Sequence, residues 1–330
     1  MPEVNPFATV RQLAAGYIVP RCLHVIANLG VADVLDETPR TAAELAESVG
    51  AHPDALWRIL RVLSTYGLFA LQGDQFSHTP ASRLLRSDHP QSMRSFVRMF
   101  ASPLYWNAYG ELEYTAQTER PATDKSTPNG FWNYLESHPD EGTIFDEAMV
   151  TKSRAAAAAI ASSYDFSGFE VVGDIGGGLG QVLRAIMNAS PNSKGVLFDL
   201  AHVLEKAKYI PSERITFQAG DFFSDTFPTC DAYLLMDVIH DWGDEAAMAI
   251  LKAVRRAAPA HAKLLVIELV FPDDPGPDWA KVLDVNMLAL FGGRQRTLSE
   301  YRALLESAGF SLQRKIDTRA EHSILEAVVA

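Results

Sequence analysis

The sequence predicts an α/β protein in two parts: a helical N-terminal region and a doubly wound, mostly parallel sheet. Three observations support this. The N-terminal third has apolar residues at helical spacing. From about Ser163 onwards, short apolar strands alternate with helices, which is typical of a parallel sheet covered on both faces. With 330 residues, 48% of them apolar, the chain is long enough for two folding units.

The N-terminal region begins with two predicted helices. Apolar periodicity covers Leu13–Leu35, and Gly30 lies near its end. Thr41 and Glu44 then form a capping box for a short helix, which Gly50 is expected to end.

The next elements complete the order of a winged helix. Asp54 is the expected N-cap of a further helix, which Gly67 ends, and Leu68–Leu71 and Gln75–Thr79 can pair as a hairpin. Winged helices often bind DNA, but residues 1–110 hold as many Arg as Asp and Glu, and no Lys. Because Lys and Arg contacts to phosphate supply most non-specific DNA affinity, the charge favours dimerisation or covering a substrate.

Residues 111–162 are expected to form a helical linker that also contributes to a substrate pocket. Their polar stretch, Gln117–Gly130, is rich in Thr, Pro and Asp and is predicted to be a loop. Aromatic residues, among them Trp132, lie on both sides of it. The predicted domains are therefore residues 1–110, 111–162 and 163–330.

The sheet domain is predicted from alternating segments. The expected parallel strands are Val171–Ile175, Gly195–Leu200, Ile215–Gln218, Ala232–Asp237 and Leu264–Val270. The expected helices between them are Gln181–Asn188, His202–Lys208 and Asp244–Ala258. The last two strands, which could pair antiparallel at an edge, are Phe310–Ile316 and Ser323–Val329.

Bulk features indicate a cytoplasmic protein. Two distant cysteines, Cys22 and Cys230, do not form a disulfide framework. The first residues lack the pattern of a signal peptide, and no apolar run approaches the length of about 18 residues that a membrane helix needs. A net charge of −12 argues against a nucleic-acid partner.

A glycine-rich turn follows the first strand of the sheet. Asp174, Gly176, Gly178 and Gly180 fit the spacing D-x-G-x-G-x-G, whereas a dinucleotide fingerprint would require a small residue where Gln181 stands. Glycines at a strand-to-helix turn let a ligand approach the backbone near the helix N-terminus. A purely structural tight turn is the alternative.

Acidic residues also end the next two strands. Asp199 could accept hydrogen bonds from both hydroxyls of a ribose. After the third strand come Gly220, Asp221, Phe222 and Phe223, where a carboxylate could receive an adenine amino group and a phenyl ring could cover the purine. Helix capping explains one such residue better than several on the same rim of a sheet.

The fourth strand leads directly into His240, Asp241 and Trp242. Ligands bind at the carboxyl edge of open α/β sheets, so His240 is a candidate catalytic residue. Imidazole is the usual general base near neutral pH, so His240 could take a proton from a hydroxyl of a bound substrate.

Together these motifs resemble the small-molecule O-methyltransferase family, which includes plant caffeic-acid and flavonoid enzymes, animal acetylserotonin enzymes and bacterial antibiotic-tailoring enzymes. The resemblance covers nearly the whole chain and rests on Asp174–Gly180, Asp199, Gly220–Phe223, His240 to Trp242, Glu268, Gly292–Thr297 and Ala308–Phe310. It implies a Rossmann-like class I methyltransferase sheet with an N-terminal winged-helix dimerisation domain. It also implies a homodimer, S-adenosyl-L-methionine as cofactor with S-adenosyl-L-homocysteine as product, and a small aromatic acceptor, phenolic or polyketide-like.

The resemblance also implies roles for residues. His240 is similar to the family's general base and Glu268 to the acid that orients it; Asp241 follows the base, and Gln295 stands where the family often has a second Glu. The expected cofactor-binding residues are Asp174, Gly176, Gly178, Asp199, Leu200, Gly220, Asp221, Phe222, Phe223 and Asp237. The acceptor pocket, which the family places between its two domains, is expected to involve Trp132, Met149, Asn286 and Met287.

The residues before His240 also depart from the family pattern. Many relatives place Lys four residues or Arg three residues before the catalytic histidine, but here Met236 and Asp237 occupy those positions. The sequence offers no clear oxygen-ligand cluster, so no metal is expected. Two rival hypotheses remain: a cofactor-binding relative with non-methylating chemistry such as hydroxylation or decarboxylation, and a winged-helix regulator.

Overall fold

The computed structural model describes residues 5–127, 129–207 and 213–330. The chain divides into two compact units, Met1–Trp106 with Pro139–Thr151, and Asn107–His138 with Lys152–Ala330. Compactness does not by itself define folding domains, so the three-part division at residues 110 and 162 stays a prediction. In the part of the chain that the structure describes, no helix is long and apolar enough to cross a membrane.

The first half of the chain is mostly helical. Its helices are α1 (Pro6–Ala14), α2 (Ile18–Leu29), α3 (Val31–Val34), α4 (Ala42–Val49), α5 (Pro53–Thr65), α6 (Pro80–Arg83), α7 (Arg94–Ala101), α8 (Pro103–Gly110), α9 (Leu112–Thr118), α10 (Thr123–Ser126), α11 (Phe131–Ser137) and α12 (Pro139–Ser163). Its strands are β1 (Arg40–Thr41), β2 (Phe69–Gln72) and β3 (Gln75–His78), in the antiparallel order β1-β3-β2.

The predicted winged-helix order is present. The capping box of Thr41 and Glu44 is formed, and Gly50 ends α4 in the left-handed conformation. The buried side chains Leu45, Leu60 and Phe76 belong to one apolar core beneath the hairpin. The wing is therefore packed against α4 and α5, as the periodicity of these segments requires.

Several predicted boundaries were wrong. The periodic stretch from Leu13 to Leu35 is not one helix, because the chain breaks around Gly16 and again at Gly30, which has a φ of +70°. Asp54 does not cap α5, which begins at Pro53; its carboxylate instead pairs with Arg58 one turn later, at 2.9 Å.

Gly67 ends α5 as predicted: it follows the C-cap Tyr66 with a φ of +74°, and the backbone N–H groups of Gly67 and Leu68 donate to the carbonyls of Ser64 and Leu63. Another local signal was only partly right. The polar stretch that was predicted to be a loop contains the short helix α10. Its Thr123 hydroxyl donates to the carbonyl of Leu290 at 2.7 Å, a tertiary contact that no local pattern indicates.

The second half is the predicted α/β sheet. Its strands are β4 (Val171–Ile175), β5 (Lys194–Asp199), β6 (Ile215–Ala219), β7 (Ala232–Met236), β8 (Lys263–Glu268), β9 (Phe310–Asp317) and β10 (Ser323–Val329). Its helices are α13 (Gln181–Ala189), α14 (Ala201–Ala207), α15 (Asp244–Ala257), α16 (Trp279–Phe291) and α17 (Leu298–Ser307). The predicted end of α14 at Lys208 lies outside the described residues.

The strand order is β6-β5-β4-β7-β8-β10-β9. β4 to β8 run parallel to one another, and β10 is antiparallel to both of its neighbours, β8 and β9. Both faces are covered, since Leu234 and Leu235 belong to different apolar cores. The strand order reverses between β4 and β7, and open α/β sheets bind ligands at the carboxyl ends of the strands at such a point.

Candidate active site

The glycine-rich turn connects β4 with α13 at the point of reversal. Gly176 has a φ of +72°, and a Cβ there would lie 2.7 Å from the Phe222 ring and 2.9 Å from the Val238 side chain. Only glycine fits this position. Gly178 also has a positive φ, but no atom lies within 4 Å of its missing Cβ. The turn therefore leaves open space for a ligand at Gly178, beside the N-terminus of α13.

Two aspartates lie next to this turn. The carboxylate of Asp199 accepts hydrogen bonds from the backbone N–H groups of Gly178 at 2.8 Å and Leu200 at 2.7 Å. Asp174 is buried beneath the turn, and burial, followed by the charge of Asp199, raises the pKa of its carboxyl to about 7. Asp199 therefore lies beside the open space at Gly178, whereas Asp174 is buried below the turn.

The segment after β6 provides aromatic side chains. Gly220 precedes Asp221, whose exposed carboxylate accepts a hydrogen bond from the N–H of Phe223 at 2.7 Å. The ring of Phe222 packs against Gly176, so closely that a Cβ on Gly176 would lie 2.7 Å from it. Phe223 is 51% exposed and contacts the edge of Trp242, with ring centroids 4.9 Å apart. Exposed aromatic surface therefore stands beside the glycine-rich turn.

His240 lies in a short 3₁₀ helix, Ile239–Asp241, directly after β7. Glu268, at the end of β8, places Oε2 2.9 Å from His240 Nδ1 and accepts the backbone N–H of His240 through Oε1 at 3.2 Å. The side-chain amide of Gln295 lies 2.9 Å from the same Nδ1. One Nδ1 cannot both donate to Glu268 and accept from Gln295, so a protonated Nδ1 requires the amide to present its oxygen.

The other ring nitrogen, Nε2, faces Asp241, whose Oδ1 is 3.4 Å away. Burial lowers the pKa of His240, but the carboxylate of Glu268, with Asp241 and Asp237, outweighs it and raises that pKa to about 9. Burial raises the pKa of Asp241 to about 7, although the nearby imidazolium opposes this. The site therefore stabilises a protonated imidazole, the state that a base reaches after it has taken a proton.

Asp237 is the centre of a second polar group. Its carboxylate lies 3.1 Å from Lys152 Nζ and, through both oxygens, 3.1 Å from His322 Nε2. Burial raises the pKa of Asp237, but Lys152 and His322 together hold it well below its usual range. Sequence reasoning missed Lys152 and His322, because they come from α12 and from the loop before β10.

One ligand atom each of Asp237, His240 and Glu268 lies within 4.8 Å of the others, so this trio could reach a common cation. Lys152 and His322 already pair with the carboxylate of Asp237. A cation bound by the trio would also compete for His240 Nδ1, the nitrogen that lies 2.9 Å from Glu268. The absence of a metal stays a prediction.

The segment Gly292–Thr297 contacts the histidine loop, residues 237–243 between β7 and α15, and holds it in place. Arg296 is 1% exposed and donates to the carbonyls of Ile239 at 3.0 Å and Trp242 at 2.9 Å, and to Asp244 at 2.7 Å. A Cβ on Gly293 would lie 2.1 Å from the carbonyl oxygen of His240, so the two backbones approach closely. The sequence contained a signal, the GGRQRT motif, but the part played by Arg296 was missed.

Three predicted acceptor residues lie in one unit. Asn286 and Met287 are buried on α16, which contacts the 3₁₀ helix of His240, and the hydroxyl of Tyr109 donates to Asn286. Trp132 packs against Phe291 at the end of the same helix, 5.6 Å between centroids. Met149, on α12, belongs to the other unit.

The sheet order, the open glycine-rich turn and the acids on its rim define a class I methyltransferase fold. Family models match over most of the chain: an O-methyltransferase domain at residues 109–311 and an O-methyltransferase dimerisation domain at residues 11–88. The chain belongs to this O-methyltransferase family and is an S-adenosylmethionine-dependent enzyme, which confirms the predicted fold, family and cofactor.

Relatives match along almost their whole lengths. Phenazine O-methyltransferase PhzM of Lysobacter antibioticus is 38% identical over 322 residues, 96% of this chain and 94% of that protein. The crystal structure of LaPhzM has a TM-score of 0.93 at 36% identity and covers 99% of this chain and 100% of its own. The O-methyltransferase NcsB1 from neocarzinostatin biosynthesis, solved with S-adenosyl-L-homocysteine and 1,4-dihydroxy-2-naphthoic acid, has a TM-score of 0.80 at 33% identity, covering 94% of this chain and 96% of that one.

Proposed function

We propose that the enzyme methylates a hydroxyl of a small aromatic metabolite, with His240 as general base and without a metal. The observation that carries this proposal is the position of His240. Its buried ring pairs through Nδ1 with Glu268, at the same edge of the sheet as the glycine-rich turn. S-adenosylmethionine supplies an activated methyl group on a good leaving group when bound. The protein must therefore position the acceptor and remove its proton.

The arrangement of His240 suits proton removal. Nε2 would take the hydroxyl proton while the acceptor oxygen forms its bond to the methyl carbon and the bond from that carbon to the sulfonium sulfur breaks, its electron pair staying on the sulfur. Glu268 would stabilise the resulting imidazolium and fix the ring orientation, as carboxylates do for catalytic histidines. Gln295 would hold the ring through a hydrogen bond without adding charge, and Asp241 would limit the approach to Nε2.

The proposed cofactor contacts follow the rim of the sheet. Gly176 and Gly178, with Asp174 beneath them, would let the cofactor lie against the backbone. Asp199, with Leu200 beside it, would bind the ribose hydroxyls. The segment Gly220–Phe223 would hold the adenine, its amino group at Asp221 and its faces against the phenyl rings.

The aromatic nature of the acceptor is supported by the relatives, one named for phenazines and one solved with a naphthoic acid. Trp132, Asn286 and Met287 are the proposed acceptor residues, and Met149 stays an expectation from the family resemblance. Apolar and aromatic walls with a few polar groups are typical of sites for flat organic molecules.

The direct test is transfer of an isotope-labelled methyl group from S-adenosylmethionine to a panel of phenols, followed by mass spectrometry. We expect a labelled aryl ether, formed equally well after treatment with a chelator. Turnover of the acceptor without label would support hydroxylation or decarboxylation instead, and loss of activity on chelation that Mg²⁺ restores would contradict the metal-free proposal.

The cofactor contacts predict a stability change on binding. S-adenosylhomocysteine at about 100 times its dissociation constant should stabilise the enzyme by about 2.7 kcal/mol. Asp199→Asn should weaken its binding on the order of tenfold or more, since a charge-assisted hydrogen bond is lost. Calorimetric titration measures both, with Asp273→Asn, an exposed aspartate in the loop between β8 and α16, as the matched control. Equal affinities for the two variants would refute the role of Asp199.

The dimerisation domain predicts a homodimer. Apolar side chains at helical spacing on α1 and just after it are exposed in the single chain: Phe7 75%, Val10 68%, Leu13 76% and Tyr17 62%. Such a stripe is typical of a protein interface. Light scattering at micromolar concentration should give twice the 36.2 kDa chain mass. Leu13→Glu should shift the mass towards the monomer and Gln12→Glu should not; a monomeric wild type would contradict the prediction.

A further inference from the structure

We infer that Asp241 receives the proton from His240 after each methyl transfer and passes it to water, which resets the base. The inference rests on the proposed function, in which Nε2 of His240 takes the hydroxyl proton, and adds the step that must follow. A base that keeps its proton cannot take another, so every turnover must release one proton from the ring. The products are then the methyl ether, S-adenosylhomocysteine and this proton.

The first support is the surroundings of the two ring nitrogens. Nδ1 lies 2.9 Å from both Glu268 and Gln295, so a proton on that atom is held in place. The proton taken from the acceptor is on the other nitrogen, Nε2, and the carboxylate of Asp241 lies beside it, with Oδ1 3.4 Å away. Catalytic hydrogen bonds often start at such distances and shorten during the reaction. When the product leaves, the N–H of Nε2 therefore has the Asp241 carboxylate as its acceptor.

The second support is the path to water. The side chain of His240 is 4% exposed and that of Asp241 is 14% exposed, so the carboxylate is the more accessible of the two groups. The backbone is fixed on both sides of this pair, because Arg296 donates to the carbonyls of Ile239 and Trp242. The fold therefore holds a partly exposed acid against a buried base.

The third support is the acidity of the two groups. Burial raises the pKa of Asp241 to about 7; the charge of His240 opposes this rise and that of Glu268 adds to it. Lys152 and Asp237 have smaller effects on the same pKa, the first lowering it and the second raising it. Despite burial, Glu268 raises the pKa of His240 to about 9. A carboxyl with a pKa near neutrality can both accept and release a proton, whereas an ordinary aspartate, with a pKa of about 3.9, is too weak a base.

A role of Asp241 through its charge alone predicts a different result. A negative charge beside Nε2 stabilises the imidazolium, so Asp241→Asn would lower the pKa of His240 and move the rise of kcat/KM to lower pH. Turnover would not come to depend on other proton carriers in solution. Dependence on an added base is therefore the property that separates a proton carrier from a charge.

The test uses full-length Asp241→Asn at one neutral pH and constant ionic strength, with increasing concentrations of imidazole. With a phenol of ordinary acidity, we expect steady-state turnover to fall on the order of tenfold or more, and to recover as imidazole, a small base, takes over proton removal. With a phenol already ionised at that pH, the loss should be much smaller, because no proton has to leave. Turnover by the wild type should not respond to imidazole.

Glu245→Gln is the matched control, since it removes an exposed carboxylate from the first turn of α15. It should turn over like the wild type, with or without imidazole. Unchanged affinity of Asp241→Asn for S-adenosylhomocysteine, measured by calorimetry, reports an intact fold. Undiminished turnover by Asp241→Asn with the ordinary phenol, or a loss that imidazole does not reverse, would overturn the inference. A wild type that forms no labelled ether from any phenol would instead overturn the proposed function.

Discussion

His240→Ala should lower the rate of methyl transfer to a phenol of ordinary acidity by about 10²–10⁴-fold, the usual worth of a positioned general base. Affinity for S-adenosylhomocysteine should stay within about twofold, because the imidazole acts on the acceptor. Glu268→Gln should cause a smaller loss, since it removes charge from beside the ring but keeps a hydrogen-bonding group. Steady-state kinetics and titration calorimetry measure the two effects.

A matched control is His261→Ala, since His261 is an exposed histidine that pairs with Asp231 far from the glycine-rich turn. It should be close to wild type. Near-native turnover by His240→Ala with an ordinary phenol would remove His240 from the mechanism.

The pH profile follows from the same residue. Glu268 and the other carboxylates raise the pKa of His240 to about 9 despite burial, so near pH 7 most molecules carry the imidazolium. Only the neutral ring can accept a proton. We therefore expect kcat/KM to rise with pH from 7 towards about 9, and His240→Ala to lose this rise. A profile of the wild type that is flat over this range would contradict the assignment.

Arg296→Ala should have the largest effect on stability. The guanidinium is almost fully buried and donates to two backbone carbonyls of the histidine loop. Its removal leaves these carbonyls without their donor, which should lower the free energy of unfolding by roughly 3–5 kcal/mol. Urea unfolding measures this change, and the rate of methyl transfer should also fall because His240 loses its fixed position.

Arg294→Ala is the matched control, two residues earlier in the same segment. Its side chain is 49% exposed and pairs with acids at the surface, and such pairs are worth about 0–1 kcal/mol. If Arg296→Ala costs no more stability than Arg294→Ala, Arg296 does not hold the loop.

Much of the sheet could be predicted because its strands are nearly continuous apolar runs. Val171–Ile175 and Ser323–Val329 were predicted to the residue, whereas helix starts such as Pro53 were displaced because a competing Asp54 offered the same capping signal. Glu268 and Gln295 both lie 2.9 Å from His240 Nδ1, and the catalytic roles that the family motifs imply for them stay predictions.

The rest depends on distant parts of the chain. Lys152 and His322 meet Asp237 from segments 85 residues away on either side, and their own neighbours in sequence give no sign of it. Arg296 lay inside a motif, but its burial against the carbonyls of Ile239 and Trp242 is a property of tertiary packing. Such contacts can be recognised only in the folded structure, where the sheet brings loops from distant parts of the chain together.

The most direct test of the central claim, that His240 removes the acceptor proton, compares phenols of different acidity. Transfer rates at one neutral pH are measured for the wild type and His240→Ala, with an ordinary phenol and with one already ionised at that pH. The proposed mechanism predicts a large loss for the ordinary phenol and a much smaller one for the ionised phenol, which needs no base. Equal losses for both would contradict it and would assign His240 a purely positional role.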